Sequence, residues 1–213
     1  MPERTVAFVD LAGFTALTEA HGDADAVELV ERFVELARGA VGGRGEIVKS
    51  IGDAVMLAFA ERAEALDAVS VLFGACYAES GFPVPRAGLH HGPVVDRSGD
   101  LFGATVNLAA RVAGQASGGQ ILATAVVAET ARDRGLRAVE LGSFEIRNIP
   151  EPVSLHEVDT GSVPHGAVID PVCRMRVDRD EATGRLRHGD AEYWFCSLRC
   201  AGLFTTAPER YVG

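Results

Sequence analysis

Val6-Ala-Phe-Val-Asp10-Leu-Ala-Gly-Phe-Thr15 runs as an apolar strand into a carboxylate, then through Gly13 into the first residues of a helix. A second segment, Ile47-Val-Lys49-Ser-Ile-Gly-Asp53-Ala-Val-Met56, joins two strand-like runs (46–50 and 54–59) through Gly52-Asp53, a tight-hairpin signal. Working outward, the helix that starts at Phe14 is interrupted at Gly22-Asp23. A longer helix follows, in which Val27, Val30, Val34, Ala37 and Val41 recur at helical spacing, with Asp23 as N-cap and Gly42-Gly43 as the stop. Next come a helix over 62–79, a strand over 85–91, a short return at 93–95, a turn at Arg97-Ser-Gly-Asp100 and a helix from near Asn107. The order β-α-β-β-α-β predicts an α+β fold with a ferredoxin-like core, an antiparallel sheet with helices on one face. Asp10 and Asp53 then meet at strand ends. Elements at 121–124, 125–134, 138–147 and 153–158 extend this core.

Composition narrows the function classes. Of 213 residues, 47% are hydrophobic and 23% charged, enough apolar material for a packed core rather than a disordered chain. The net charge of −10 lies on residues 1–160, because the seven arginines of 161–213 balance seven acidic residues. An acidic surface argues against nucleic acid or anionic membrane as partner, and it repels a nucleoside triphosphate unless cations intervene. No apolar run approaches the roughly 20 residues of a membrane span, and Met1-Pro-Glu-Arg4 opens no signal-peptide core. The expectation is a soluble, cytoplasmic protein with no membrane association. Composition changes at Thr160-Gly-Ser-Val-Pro-His-Gly166, dividing the chain into a domain at 1–160, a linker at 161–167 and a small cysteine-containing α+β domain at 168–213. Cys76, alone in an apolar helix, reads as buried packing. Cys173, Cys196 and Cys200 crowd together, and clustered cysteines in a reducing compartment point to a metal rather than a disulfide.

Two aspartates meeting at strand ends repel unless divalent cations sit between them, and oxygen ligands near phosphate favour Mg²⁺ or Mn²⁺. The Gly13-Phe14-Thr15 helix start offers free backbone N–H groups to a polyphosphate. In Asp100-Leu-Phe-Gly103-Ala-Thr-Val-Asn107-Leu-Ala-Ala-Arg111, an acid, an amide and a guanidinium flank a strand-to-helix junction. Lys49 is donor-only and ionised Asp100 acceptor-only, a complementary pair of hydrogen-bonding groups.

These segments resemble the catalytic core of class III nucleotide cyclases over residues 5–158, and specifically adenylate cyclases of the short-arm bacterial subgroup. The resemblance implies that Asp10 and Asp53, helped by the Leu11 carbonyl, hold two Mg²⁺ or Mn²⁺ ions per site. It implies that Lys49 and Asp100 read the base, Asn107 orients the ribose, and Arg111 stabilises charge on the α-phosphate. Arg86 stands where the family commonly has an arginine facing the triphosphate. In Glu145-Ile-Arg147-Asn148, the family more usually has lysine then glycine; Arg147 is the corresponding phosphate contact. His90 and His91 are packing or rim residues. The implied reaction converts ATP to 3′,5′-cyclic AMP and pyrophosphate in a head-to-tail homodimer with composite sites. The alternatives are a guanylate cyclase, or a nonenzymatic metal-responsive protein that uses the fold to bind nucleotide or dimerise.

The C-terminal segments Asp170-Pro-Val-Cys173-Arg-Met175 and Tyr193-Trp-Phe-Cys196-Ser-Leu-Arg-Cys200 resemble a YHS domain, related to TRASH modules. Three thiolates suit Zn²⁺ or Cu⁺, with His188, His165 or solvent as the fourth ligand. The competing reading is of reduced thiols that merely fill a small core. On the metal reading, the module regulates the first domain according to metal or redox state.

Overall fold

The computed structural model describes residues 1–162 and 168–212. Strand β1 (Glu3–Leu11) has Thr5, Val6, Ala7, Val9 and Leu11 buried, so both of its faces are covered and its near-continuous apolar run follows. After it come α1 (Phe14–His21), α2 (Asp23–Val41), β2 (Gly45–Ile51), β3 (Ala54–Phe59), α3 (Arg62–Ala78) and β4 (Pro85–Pro93). The chain continues through β5 (Val95–Arg97), β6 (Asp100–Phe102), α4 (Ala104–Gln115), β7 (Ile121–Thr124), α5 (Ala125–Asp133), β8 (Arg137–Phe144) and β9 (Val153–Asp159). The C-terminal part holds β10 (Val168–Ile169), β11 (Arg176–Val177), β12 (Gly184–His188), β13 (Ala191–Phe195), α6 (Leu198–Thr206) and a closing 3₁₀ turn.

Seven strands form one sheet in the order β2-β3-β1-β4-β7-β9-β8, antiparallel except for the parallel β4–β7 pair. The expected βαββαβ core is its β2-β3-β1-β4 portion. Ala7, Val9, Leu57, Phe59 and Leu89 pack one face against Phe33 of α2, Val69 and Phe73 of α3, and Val127 of α5. The expectation of helices on one face only is corrected here: Val6, Met56 and Ala58 on the other face bury Val106 and Ala109 of α4. Strands β1 and β3 are apolar on alternate residues of both faces, so a one-sided cover would leave Val6 and Met56 in water. Gly88 of β4 lets α4 approach, since a Cβ there would run into the backbone of Val112 and Ala113.

Local boundaries also differ from expectation. Gly22, not Asp23, caps α2, its carbonyl accepting from the Ala26 N–H at 3.2 Å; Asp23 instead places its charge in the first turn, where the helix dipole favours it. The return expected at 93–95 is the continuation of β4 to Pro93. Beyond it, β5 and β6 form a hairpin that turns on Ser98 (φ 57°) and Gly99 (φ 77°), both left-handed as a two-residue hairpin requires. Helix α4 begins at Ala104, three residues before Asn107.

The C-terminal part packs on α1 and the start of α2. Leu17, Ala20 and Ala26 share one apolar cluster with Val172, Cys173, Phe195, Cys200 and Phe204. Backbone bonds reinforce the contact: Arg176 N–H donates to the Phe82 carbonyl at 3.0 Å, and Val84 N–H to that of Arg174 at 3.4 Å. Of the expected linker, residues 163–167, including His165, lie outside the described residues. No helix among the described residues is long and apolar enough to cross a membrane.

Candidate active site

Asp10 sits at the end of β1, in register with Ala54 on β3 and Arg86 on β4. Asp53, in the β2–β3 turn next to Ala54, is therefore its neighbour across the strand ends. Arg86 closes on Asp10 with two bonds, Nε to Oδ1 at 2.5 Å and Nη2 to Oδ2 at 3.1 Å, and its Nη1 reaches the Ala116 carbonyl at 3.3 Å. The arginine expected at the triphosphate thus pairs with Asp10. Asp53 has no side-chain partner among the described residues: burial pushes its carboxyl above the ordinary range, and the charge of Asp10 adds to that. A half-buried carboxylate with no hydrogen-bonded side chain of its own, beside a second carboxylate, fits a divalent ion better than it fits a turn residue.

Leu11 turns its side chain into the core, leaving its backbone at the strand end, and Ala12 N–H donates to the Val84 carbonyl at 2.9 Å. Gly13 (φ 75°) then reverses the chain into α1 with no side-chain cap. The first-turn N–H groups of Phe14 and Thr15 therefore have no capping side chain to occupy them. One group not foreseen joins this corner. The side chain of Arg174, from the C-terminal part, lies over Gly13 so closely that any Cβ there would overlap its Cγ. Nothing local in Asp170-Pro-Val-Cys-Arg174 announces this; it follows from docking.

Lys49 and Asp100 meet as a pair, Nζ at 2.8 and 2.7 Å from the two carboxylate oxygens. Asp100 also accepts from the Leu101 N–H at 2.8 Å, and the lysine, first, holds its carboxyl below the ordinary range. The Lys49 ammonium lies 5.7 Å over the Phe102 ring. Lys49 pairs across the sheet with Met56, and Asp10 shares the alternation of Phe8, so both stand on the sheet face that carries α4. Asn107 and Arg111 follow one turn apart on α4, the first exposed and the second half-buried. Among the described residues neither is hydrogen-bonded to Asp10 or Asp53. Each chain thus presents two separate groups, the Asp10–Asp53 corner and the Lys49–Asp100 pair, with Asn107 and Arg111 free on their helix.

Arg147 is exposed, and Asn148 takes φ 62°. Asparagine is among the few non-glycine residues that adopt this conformation readily, so the backbone keeps a shape that glycine would give. His90 bonds Thr124 (2.8 Å) and His91 bonds Thr5 (3.0 Å), both structural pairings; burial holds the His90 imidazole down at about 4. Cys76 is buried, its thiol pushed up to about 12 by desolvation.

At the C-terminal part, Cys173, Cys196 and Cys200 converge, with Sγ···Sγ distances of 3.4 Å (Cys173–Cys196) and 3.7 Å (Cys196–Cys200). The fourth group is His21, the last residue of α1, whose Nε2 lies 3.5 Å from Cys196 Sγ and 3.8 Å from Cys200 Sγ. His188, one of the three alternatives expected, is instead exposed and stacks edge-on against Phe204 at 5.9 Å. His21 carried no sequence signal, standing 175 residues from Cys196.

The family profile described as the adenylate and guanylate cyclase catalytic domain matches residues 1–159, and that of the YHS domain matches residues 168–213. The chain belongs to the adenylate and guanylate cyclase catalytic-domain family. Among curated relatives of this cyclase domain, the pH-sensitive adenylate cyclase of Mycobacterium tuberculosis is 37% identical over 167 residues, 76% of this chain and 42% of that protein. An adenylate cyclase of Streptomyces coelicolor is 36% identical over 63% of the chain and 36% of its own length. The chain therefore spans about two fifths of the length of these two curated relatives. A Trypanosoma brucei adenylate cyclase solved in its monomeric state superimposes with a TM-score of 0.69 at 23% identity, covering 84% of this chain and 94% of that one; this establishes the fold.

Proposed function

We propose that the protein is an adenylate cyclase, converting ATP to 3′,5′-cyclic AMP and pyrophosphate in a homodimer, with residues 1–160 as the catalytic domain and 168–213 as a metal-binding regulatory module. The observation that carries this is the side-by-side placement of Asp10 and Asp53 at the mouth of the Gly13 helix start. Two relatives at 36–37% identity that bear the name adenylate cyclase support the same reaction.

Asp10, Asp53 and the Leu11 carbonyl would hold two Mg²⁺ or Mn²⁺ ions. When bound, such ions supply the charge that acidifies the ribose 3′-hydroxyl and holds the departing pyrophosphate. The chain's own residues do the rest. Phe14 and Thr15 N–H groups receive the phosphates, and Arg86 moves between Asp10 and the triphosphate as charge requires. Lys49 donates to adenine N1 and Asp100 accepts from N6; guanine mismatches both, each mismatch costing about 1–3 kcal/mol when buried. Asn107 orients the ribose, Arg111 faces the charge that builds on the α-phosphate, and Arg147 contributes a further phosphate contact.

A second copy would complete the site, setting Asp10 and Asp53 of one chain opposite Lys49, Asp100, Asn107 and Arg111 of the other. Apolar exposure supports this: Phe102 and Val95 beside the Lys49–Asp100 pair are 48% and 43% exposed, and Ile51 beside the Asp53 turn is 56% exposed. The test is cyclic AMP formation by the purified full chain with Mn²⁺ or Mg²⁺, ATP and GTP being compared at equal concentration. ATP-selective product that disappears in Asp10→Ala supports the reading. ATP binding without turnover at any metal concentration, or product from Asp10→Ala, overturns it.

A further inference from the structure

The cluster of three thiols and an imidazole lies between two parts of the chain, and its dimensions are those of a coordination site. A tetrahedral zinc site with Zn–S near 2.3 Å and Zn–N near 2.0 Å requires edges of about 3.8 Å between sulfurs and about 3.5 Å between sulfur and nitrogen. Four of the six edges are 3.4, 3.7, 3.5 and 3.8 Å, and the other two, both to Cys173, are no longer than 4.8 Å.

The surroundings are built to hold the ligands still. Asp170, fully buried, accepts from the Val172 N–H at 2.8 Å and the Cys196 N–H at 2.8 Å, tying together the two loops that carry Cys173 and Cys196. Ser197 caps α6 by accepting from the Cys200 N–H at 3.1 Å. These bonds fix the backbone of Cys196 and Cys200, and with it the place from which each Sγ projects.

We infer that His21 of the cyclase domain completes a Cys₃His zinc site with Cys173, Cys196 and Cys200, so that one ion clamps the C-terminal module onto α1 beside the phosphate-binding corner. The inference rests on the proposal that the module binds metal and adds the fourth ligand and its location. Thiolates and an imidazole together suit Zn²⁺, which accepts both in a closed four-coordinate shell. Position makes the site consequential. Cys173 precedes Arg174, whose carbonyl accepts from Val84 N–H, while the Val84 carbonyl accepts from Ala12 N–H; the ligand is thus linked through three backbone segments to Gly13. The other end of α1 is Gly13 itself. Zinc therefore fixes both ends of an eight-residue helix and holds the Arg174 side chain, whose residue sits at φ 62°, over the start of that helix.

The experiment uses the full-length protein, stripped of metal and titrated with Zn²⁺ against a chromophoric chelator, with Co²⁺ substitution reporting the ligand set by its d–d and thiolate charge-transfer bands. Wild-type protein should bind one ion with the spectrum of a tetrahedral S₃N site. His21→Ala should lose about 100-fold in affinity or more, since even a group behind a ligand is worth about 10–100-fold, and its Co²⁺ bands should shift. Hydrogen exchange over residues 14–21 should slow on zinc addition in the wild type and not in His21→Ala, a readout that also reveals any folding defect in the apo variant. Wild-type affinity and Co²⁺ spectrum in His21→Ala, with Cys196→Ser still weakened, would overturn the shared site while leaving a module-only metal site intact. No zinc binding by the wild-type chain would overturn both.

Discussion

Replacing Gly88 with alanine tests whether the approach of α4 to the sheet sets the position of Asn107 and Arg111. Gly88 lies in β4, opposite Phe8 on β1 and Leu122 on β7, so its strand cannot yield sideways. The atoms that a new methyl group meets are the backbone of Val112 and Ala113, in the last turn of α4 just beyond Arg111, which no rotamer change can move aside. Carbon contacts are comfortable near 3.5–4.0 Å, so the helix must retreat by roughly 1.5–2 Å. Overpacking of this kind costs about 1–3 kcal/mol. For a chain of this size each kcal/mol lowers the melting temperature by about 2–4 °C, so a cost of about 2 kcal/mol gives a drop of roughly 4–8 °C. A shift of about 1 Å in groups that face the reacting phosphate costs on the order of 100-fold in rate. The assays are thermal denaturation and cyclic AMP formation at saturating ATP. Gly114→Ala on the same helix serves as the control: nothing lies within 4 Å of its missing Cβ, so it should stabilise by about 0.4–1 kcal/mol. A Gly88→Ala protein with wild-type melting and wild-type turnover would refute the argument.

Other outcomes follow from the same geometry. Lys49→Glu turns a donor toward the base into an acceptor, which suits the N1–H of guanine; the ratio of kcat/KM for ATP over GTP should fall at least about tenfold, and an unchanged ratio would remove Lys49 from base selection. The His90 imidazole titrates at about 4 when folded, against an ordinary value of 6.5, so the unfolded chain takes up the proton first. This contribution to stability is complete above about pH 6.5 and fades as the pH falls toward 4, by at most about 3 kcal/mol. Urea titrations of His90→Gln should show a shallower acid loss over that window, and parallel curves for variant and wild type would contradict the assignment. Asp170→Ala strips acceptors from the Val172 and Cys196 N–H groups, and chelator competition should show zinc affinity lowered by about 10–100-fold. Undiminished affinity would mean that the ligand loops hold themselves.

The core order and most strand and helix spans were legible because apolar periodicity and glycine punctuation are local properties: Gly42 ends α2, and Gly52-Asp53 turns β2 into β3 where expected. The pairing of Lys49 with Asp100 was half legible. Their complementary chemistry suggested one ligand, but the contact itself depends on the β5–β6 hairpin folding back beside β2. The second helical layer was missed because alternation within a short apolar strand does not say whether its other face meets water or α4.

From the residues alone came the family, the paired carboxylates and the three clustered thiols, because each is a matter of which side chains stand at which offsets in one short segment. The tertiary structure decided that Arg86 rests on Asp10, that Arg174 covers Gly13, and that His21 rather than His188 faces the cysteines. These are contacts between segments far apart in the chain. Their existence depends on how apolar surfaces dock, and no local spacing encodes that.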